Sequence, residues 1–195
     1  MDYKKSMLDR IERRKEQWLV YYERAKRVIE KDRVGGEANR LWIEEQIKGL
    51  STGVDVCCGD FLMGEHSQGV DGDIGKIGAV WYTHGANLIN FDDNSLDYVV
   101  TNYIEAFVNA FEPLREWHRL LKPGGVLAFA CANADNYLDD IGALCNVHRN
   151  TIFTKRTIFN YLTKANYINI HIEDGEEKSM RVKCNKSVIT STSQA

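Results

Sequence analysis

From residue 53 onward, short apolar runs alternate with amphipathic stretches, and few architectures accommodate that order. Residues 54–58 (VDVCC) read as a buried strand running into a turn at Gly59. Residues 69–71 read as a very short strand ending in an acid, residues 80–83 as a third strand, and residues 96–101 (LDYVVT) as a fourth. Residues 107–121 form an amphipathic helix, with Phe107, Phe111, Leu114, Trp117, Leu120 and Leu121 on one side. A sharp turn at residues 122–125 (KPGG) precedes a further buried strand over 126–131. Thr154 is placed to N-cap a helix reaching about Ala165, with Asn166 as its left-handed cap. Residues 168–172 and 180–184 are two strands whose short acidic connection requires an antiparallel pair. The expectation is an α/β fold: a doubly wound, mostly parallel sheet with a C-terminal antiparallel strand pair and an N-terminal helical extension.

That extension covers residues 1–48, ahead of a core over 49–195. Residues 3–33 run without Gly or Pro and carry apolar side chains at helical spacing, and residues 37–48 form a second helix closed by Gly49. Residues 1–48 hold 13 of the 25 Lys and Arg but only 10 of the 28 Asp and Glu, so they are mildly basic while the remainder is acidic. The formal net charge of −3 gives no overall footprint for nucleic acid or a membrane surface. No apolar run is long enough for a membrane span, and the charged N-terminus lacks the apolar core of a secretory signal. The cysteines (Cys57, Cys58, Cys131, Cys145, Cys184) fit neither a disulfide framework nor zinc spacing, and the histidines show no ligand pairing. A reduced, cytoplasmic protein without a metal is expected.

Ligands of such sheets bind beyond the carboxyl ends of the strands. Cys57-Cys58-Gly59-Asp60 comes first, where a glycine lets backbone N–H groups approach a ligand. Asp71 and Gly72 follow, and a carboxylate at that strand end can accept hydrogen bonds from both hydroxyls of a ribose. Gly85-Ala86-Asn87 is small enough to leave room for a flat base, and Thr101-Asn102-Tyr103 closes the fourth strand. Cys131, after another strand, lacks a nearby base and reads as a buried thiol rather than a nucleophile.

Taken in order, these segments resemble a known family. VDVCCGD (54–60) looks like motif I of class I S-adenosylmethionine-dependent methyltransferases, and GVDGD (69–73) resembles their acidic second-strand motif. NFDDNSLDYVVTNYIEAF (90–107) and PLREWHRLLKPGGVLAFA (113–130) are similar to the central and late segments of the type-11 group. The resemblance implies a Rossmann-like fold and S-adenosyl-L-methionine as cofactor. It implies that Asp55, Cys57, Gly59 and Asp60 shape the loop around the methionine end. Asp71 and Gly72 would lie at the ribose, Ala86 and Asn87 at the adenine, and Thr101 and Asn102 near the sulfonium. Asp97 and the 122–125 turn would be structural. Two departures stand out: Cys57 replaces a family glycine, and too few residues separate Gly59 from Asp71 for a full helix.

Methyl transfer is an in-line displacement at an activated carbon, so alignment and exclusion of water matter most. Tyr103 and Glu105 are the candidate catalytic residues for assisting an acceptor, ahead of His84 and His118, the latter expected to be solvated on its helix. Glu105 is expected to begin the helix after the fourth strand. A small-molecule acceptor is expected. Two alternatives stay open: a methyltransferase-fold binding protein without catalysis, and an RNA methyltransferase using the basic N-terminal residues. For residues 3–33 the expectations are a lid over the cleft, packing on outer helices, or dimerisation.

Overall fold

The computed structural model describes residues 36–58, 62–72, 81–137 and 150–188. The expected helix over 3–33 therefore lies outside the described residues. Helix α1 spans residues 36–46. It is followed by β1 (Gly53–Val56), β2 (Ser67–Asp71), β3 (Trp81–Tyr82), β4 (Leu96–Thr101), α2 (Phe111–Leu120), β5 (Leu121–Ala132), α3 (Lys155–Lys164), β6 (Tyr167–Asp174) and β7 (Ser179–Lys186). Short 3-10 turns at Ile104–Ala106 and Ala134–Tyr137 follow β4 and β5.

The strands form one seven-stranded sheet in the order β3-β2-β1-β4-β5-β7-β6. Strands β1 to β5 are mutually parallel. Only β7 is reversed, antiparallel to β5 on one side and to β6 on the other. The direction of strand order changes between β1 and β4, and that is where a doubly wound sheet opens a crevice at its carboxyl edge.

Alternation along the strands divides the core between two faces. Val54, Val56, Val99, Leu127 and Phe129 pack with α2 and α3 through Leu114, Trp117, Leu120, Ile158 and Leu162. Tyr98, Val100, Ala128 and Ala130 pack on the other face with Ile43 of α1, with Ile47 just beyond it and with Met63. Gly53 opens β1 opposite Tyr98, where an added Cβ would come within 2.2 Å of the ring. The helix ends follow the sequence signals. Thr154 and Thr157 form a reciprocal capping box at α3, and Asn166 is left-handed at φ 65° beyond its C-terminus.

Several boundaries differ from expectation. The KPGG turn is not ahead of β5 but inside it, as an irregularity that takes the register from Leu96↔Leu121 to Tyr98↔Val126. Lys122 reaches the carboxylate of Asp97 at 2.6 Å, and Ser51 and Thr52 donate to the same side chain, so this bulge locks the amino end of β4. Helix α2 starts only at Phe111, because Ile104–Ala106 turns as 3-10 and Asn109 accepts from the Phe111 amide at 3.2 Å. Strand β3 is two residues long, shorter than the run 80–83 suggested.

Candidate functional site

The carboxyl edge of the parallel strands gathers several of the residues singled out above. The register sets Val56 beside Val70 and Thr101, and Asp71 beside Tyr82, so β1, β2, β3 and β4 end on one line. The segments that leave those ends are Cys57-Cys58, Asp71-Gly72, residues 83–87 and Asn102-Tyr103. Gly59 and Asp60 lie outside the described residues.

Cys57 turns the chain away from β1 with a left-handed backbone, φ 58°, and its amide donates to the Val70 carbonyl at 2.8 Å. A residue with a Cβ is unfavourable there by roughly 1–2 kcal/mol, which is why glycine is the common choice at such turns. Burial, then the nearby carboxylates of Asp71 and Asp55, push the Cys57 thiol up to about 12. The thiol is thus held protonated and is no nucleophile.

Asp55 does not reach the crevice surface. It is wholly buried in β1, on the face that packs against α1. Its Oδ2 accepts the Met63 amide at 2.7 Å, and its Oδ1 meets no hydrogen-bond partner among the described residues. Burial raises its carboxyl to about 8, although the Met63 amide works against the shift. Asp55 therefore ties the returning end of the 57–63 connection to the strand it left.

Asp71 is half-buried and Gly72 exposed, with open space where a Cβ would stand. Beyond the next strand, Gly85 is buried, Ala86 half-buried and Asn87 exposed. The Asn87 amide donates to the His84 carbonyl at 2.8 Å, closing a tight turn. Thr101 is fully buried and its Oγ1 accepts the Tyr103 amide at 3.1 Å, which turns the chain sharply after β4.

Glu105 sits in the 3-10 turn rather than at a helix start, and is 5% exposed. Its Oε1 accepts the Ala132 amide at 3.3 Å, and its carbonyl accepts the amides of Asn150 and Thr151. The side chain thus bridges the ends of β4 and β5. His84 lies edge-on to Phe107 at 5.3 Å on the same edge of the sheet. His118 is elsewhere. It is part-buried rather than solvated, edge-on to Tyr167 at 5.1 Å near the C-terminus of α2, where β5 begins. Burial lowers its pKa, and it has no access to the carboxyl edge. Cys131 is buried in the core beside β7. Among the described residues no group of His, Cys, Asp and Glu is arranged to hold a metal.

Three residues that the sequence does not mark as part of this edge act on it from α2. Trp117 donates its indole N–H to the Gly85 carbonyl at 2.8 Å, while Glu116 and Arg119 bind the backbone at Leu88. The signal was present: a core Trp carries an N–H that must find an acceptor.

The fold and the sequence both have known counterparts. Residues 34–129 match a family described as a methyltransferase domain. No curated protein matches the chain. Among solved structures, a SAM-dependent methyltransferase from Archaeoglobus fulgidus aligns with TM-score 0.68 at 16% identity, over 83% of this chain and 99% of that one. A SAM-dependent methyltransferase from Thermotoga maritima aligns with TM-score 0.68 at 14% identity, over 86% and 96%. The 1,6-didemethyltoxoflavin-N1-methyltransferase of Burkholderia thailandensis, solved with S-adenosylhomocysteine, aligns with TM-score 0.62 at 11% identity, over 88% and 87%. These three likenesses are likenesses of fold. Through residues 34–129, the chain belongs to the family of methyltransferase domains.

Proposed function

We propose that this chain binds S-adenosyl-L-methionine at the carboxyl edge of the sheet and transfers its methyl group to a small-molecule acceptor. The observation that carries the reading is the reversal of strand order between β1 and β4. It sets the Cys57 turn, Asp71, Ala86-Asn87 and Thr101-Asn102 along one edge, in the order a nucleoside with a methionine tail requires. The donor set fits that ligand. Asp71 offers a carboxylate to a vicinal diol, the open space at Gly72 leaves it reachable, and the small residues after His84 leave room for a base. Bound there, the cofactor supplies a methyl group already activated by its sulfonium.

The protein's part is alignment and a site that excludes water. Asp55 and Met63 hold the connection after β1. The chain turns after β4 through the bond from the Tyr103 amide to Thr101, and Tyr103 and Glu105 are the groups that would orient an acceptor or take its proton. The acceptor is a small molecule in this reading, as it is for the Burkholderia thailandensis neighbour. Cys57 and Cys184 are thiols rather than halves of a disulfide, which suits a reducing, cytoplasmic compartment.

Calorimetric titration with S-adenosylmethionine and S-adenosylhomocysteine tests the cofactor assignment. Transfer of a labelled methyl group into fractionated metabolite extracts then tests catalysis. Binding and transfer are the expected results; absence of binding removes the reading. The left-handed Cys57 favours a second reading, a binding protein on the same fold. Tight binding without transfer to any metabolite fraction is its signature.

A further inference from the structure

The stretch after β3 is held from α2 at successive points of its backbone. The Trp117 indole N–H meets the Gly85 carbonyl at 2.8 Å in the buried interior. Oε1 of Glu116 accepts the Leu88 amide at 2.8 Å. Arg119 donates from Nη2 to the Leu88 carbonyl at 3.2 Å and from Nη1 to the Phe91 carbonyl at 3.1 Å. Arg119 is itself fixed by Glu116, at 2.9 Å through Nε and 2.8 Å through Nη2, and it pairs with Asp93.

Gly85 is also fixed from beneath. A Cβ there would fall 2.2 Å from Cγ1 of Val56 and 3.0 Å from Cζ of Phe107. Val56 is the last residue of β1, directly before the Cys57 turn. Phe107 lies edge-on to Trp117 at 5.8 Å and to His84 at 5.3 Å. The height of Gly85-Ala86-Asn87 above the sheet is therefore set on one side by β1 and on the other by a hydrogen bond from α2. Packing alone would not require three polar side chains of one helix to be aimed at backbone groups of one loop.

We propose that α2 is a positioning element for the cofactor: Trp117, Glu116 and Arg119 hold Gly85–Asn87 where that stretch meets the adenine, and so set the affinity for the adenosyl half without touching it. The inference rests on the reading of the carboxyl edge as the S-adenosylmethionine site. Its physical basis is preorganisation. A loop held in the bound geometry loses no freedom on binding, whereas a released loop must be ordered by the ligand.

The test uses the full chain with Trp117→Phe, which keeps an aromatic ring in the core but loses the N–H together with part of the indole's volume, and with Arg119→Lys, which removes the fork. S-adenosylhomocysteine and 5′-methylthioadenosine, which lacks the amino-acid tail, are titrated into each variant below its melting range. Both ligands are expected to weaken by the same factor, about fivefold or more, in each variant. Amide exchange of the ligand-free protein, read at Asn87 and Phe91, is expected to quicken. Asp97→Asn, which loosens the opposite end of β4, is the control for general destabilisation and is expected to bind as the parent does. If the parent binds and both variants stay within about twofold of it, the proposal is overturned while the cofactor reading stands. Loss for S-adenosylhomocysteine but not for methylthioadenosine overturns it equally. A parent that binds neither ligand removes the cofactor reading, and the proposal with it; faster exchange at Asn87 in Trp117→Phe would still show the clamp on the loop.

Discussion

The Met63 amide donates to Oδ2 of Asp55 at 2.7 Å, closing the connection after β1 onto a carboxyl group that solvent does not reach. The folded carboxyl titrates at about 8, against an ordinary value of 3.8. Between those values the folded chain keeps a proton that the unfolded chain has released. The stability tied to that proton is complete below about pH 4 and is lost as pH rises through about 8. Asp55→Asn keeps an acceptor for Met63 and cannot ionise. The stability of Asp55→Asn relative to the parent should therefore rise from pH 5 to pH 9, by about 1 kcal/mol or more. Denaturant melts at both pH values measure it, and a difference that does not change with pH would remove the buried-acid account.

Asp71 stands at the end of β2 with open space beside it at Gly72. Asp71→Ala should weaken S-adenosylhomocysteine binding about tenfold or more, since two ribose hydroxyls would lose a charged partner worth ~1.5–3 kcal/mol. Calorimetry gives the number, and an unchanged dissociation constant would withdraw Asp71 from the ribose.

Cys57 holds φ 58° with a Cβ attached. Cys57→Gly relieves roughly 1–2 kcal/mol of left-handed strain and costs about 0.5–1 kcal/mol in chain entropy. The variant should be more stable by about 0.5–1 kcal/mol, visible as a higher denaturant midpoint at unchanged slope. A less stable variant would mean that the half-buried thiol contributes packing that outweighs the strain.

Asp97 accepts from Lys122, Ser51, the Thr52 amide and the Thr52 hydroxyl. These contacts, the Lys122 ammonium first, hold its carboxyl well below the usual range. The stability they give is present at neutral pH and lost as pH falls below the ordinary value near 3.8. Asp97→Asn should cost about 1–3 kcal/mol at pH 7, and progressively less in acid. Chemical denaturation across the acid range checks this, and a deficit that persists unchanged at pH 2 would contradict it.

Much of this architecture was legible in the residues. The bounds of strand β4 are legible because LDYVVT is strongly apolar and flanked by turn formers. Thr154 and Asn166 marked the two ends of α3 through capping chemistry that acts locally. Elsewhere tertiary pairing overrides local signals. Lys122-Pro123-Gly124-Gly125 has the composition of a turn, yet ladder bonds on either side carry it inside β5 as a bulge. His118 looked solvated because nothing in its own helix shows that Tyr167, far along the chain, covers it. The clamp by Trp117 was hidden for the same reason: the acceptor is a backbone carbonyl, and backbone carbonyls have no sequence signature.

The reversed strand bears on how the chain reaches its final state during synthesis. Strand β6 leaves the ribosome before β7, yet it never pairs with β5, since β7 inserts between them. Until Ser179–Lys186 has emerged, β5 presents a row of unsatisfied amides and carbonyls, and β6 has no partner. The sheet is therefore completed by its last-made strand, after translation of nearly all the described residues. A nascent chain stalled before Ser179 would expose the inner edge of Leu127–Cys131, an apolar ribbon suited to capture by chaperones or by another stalled copy.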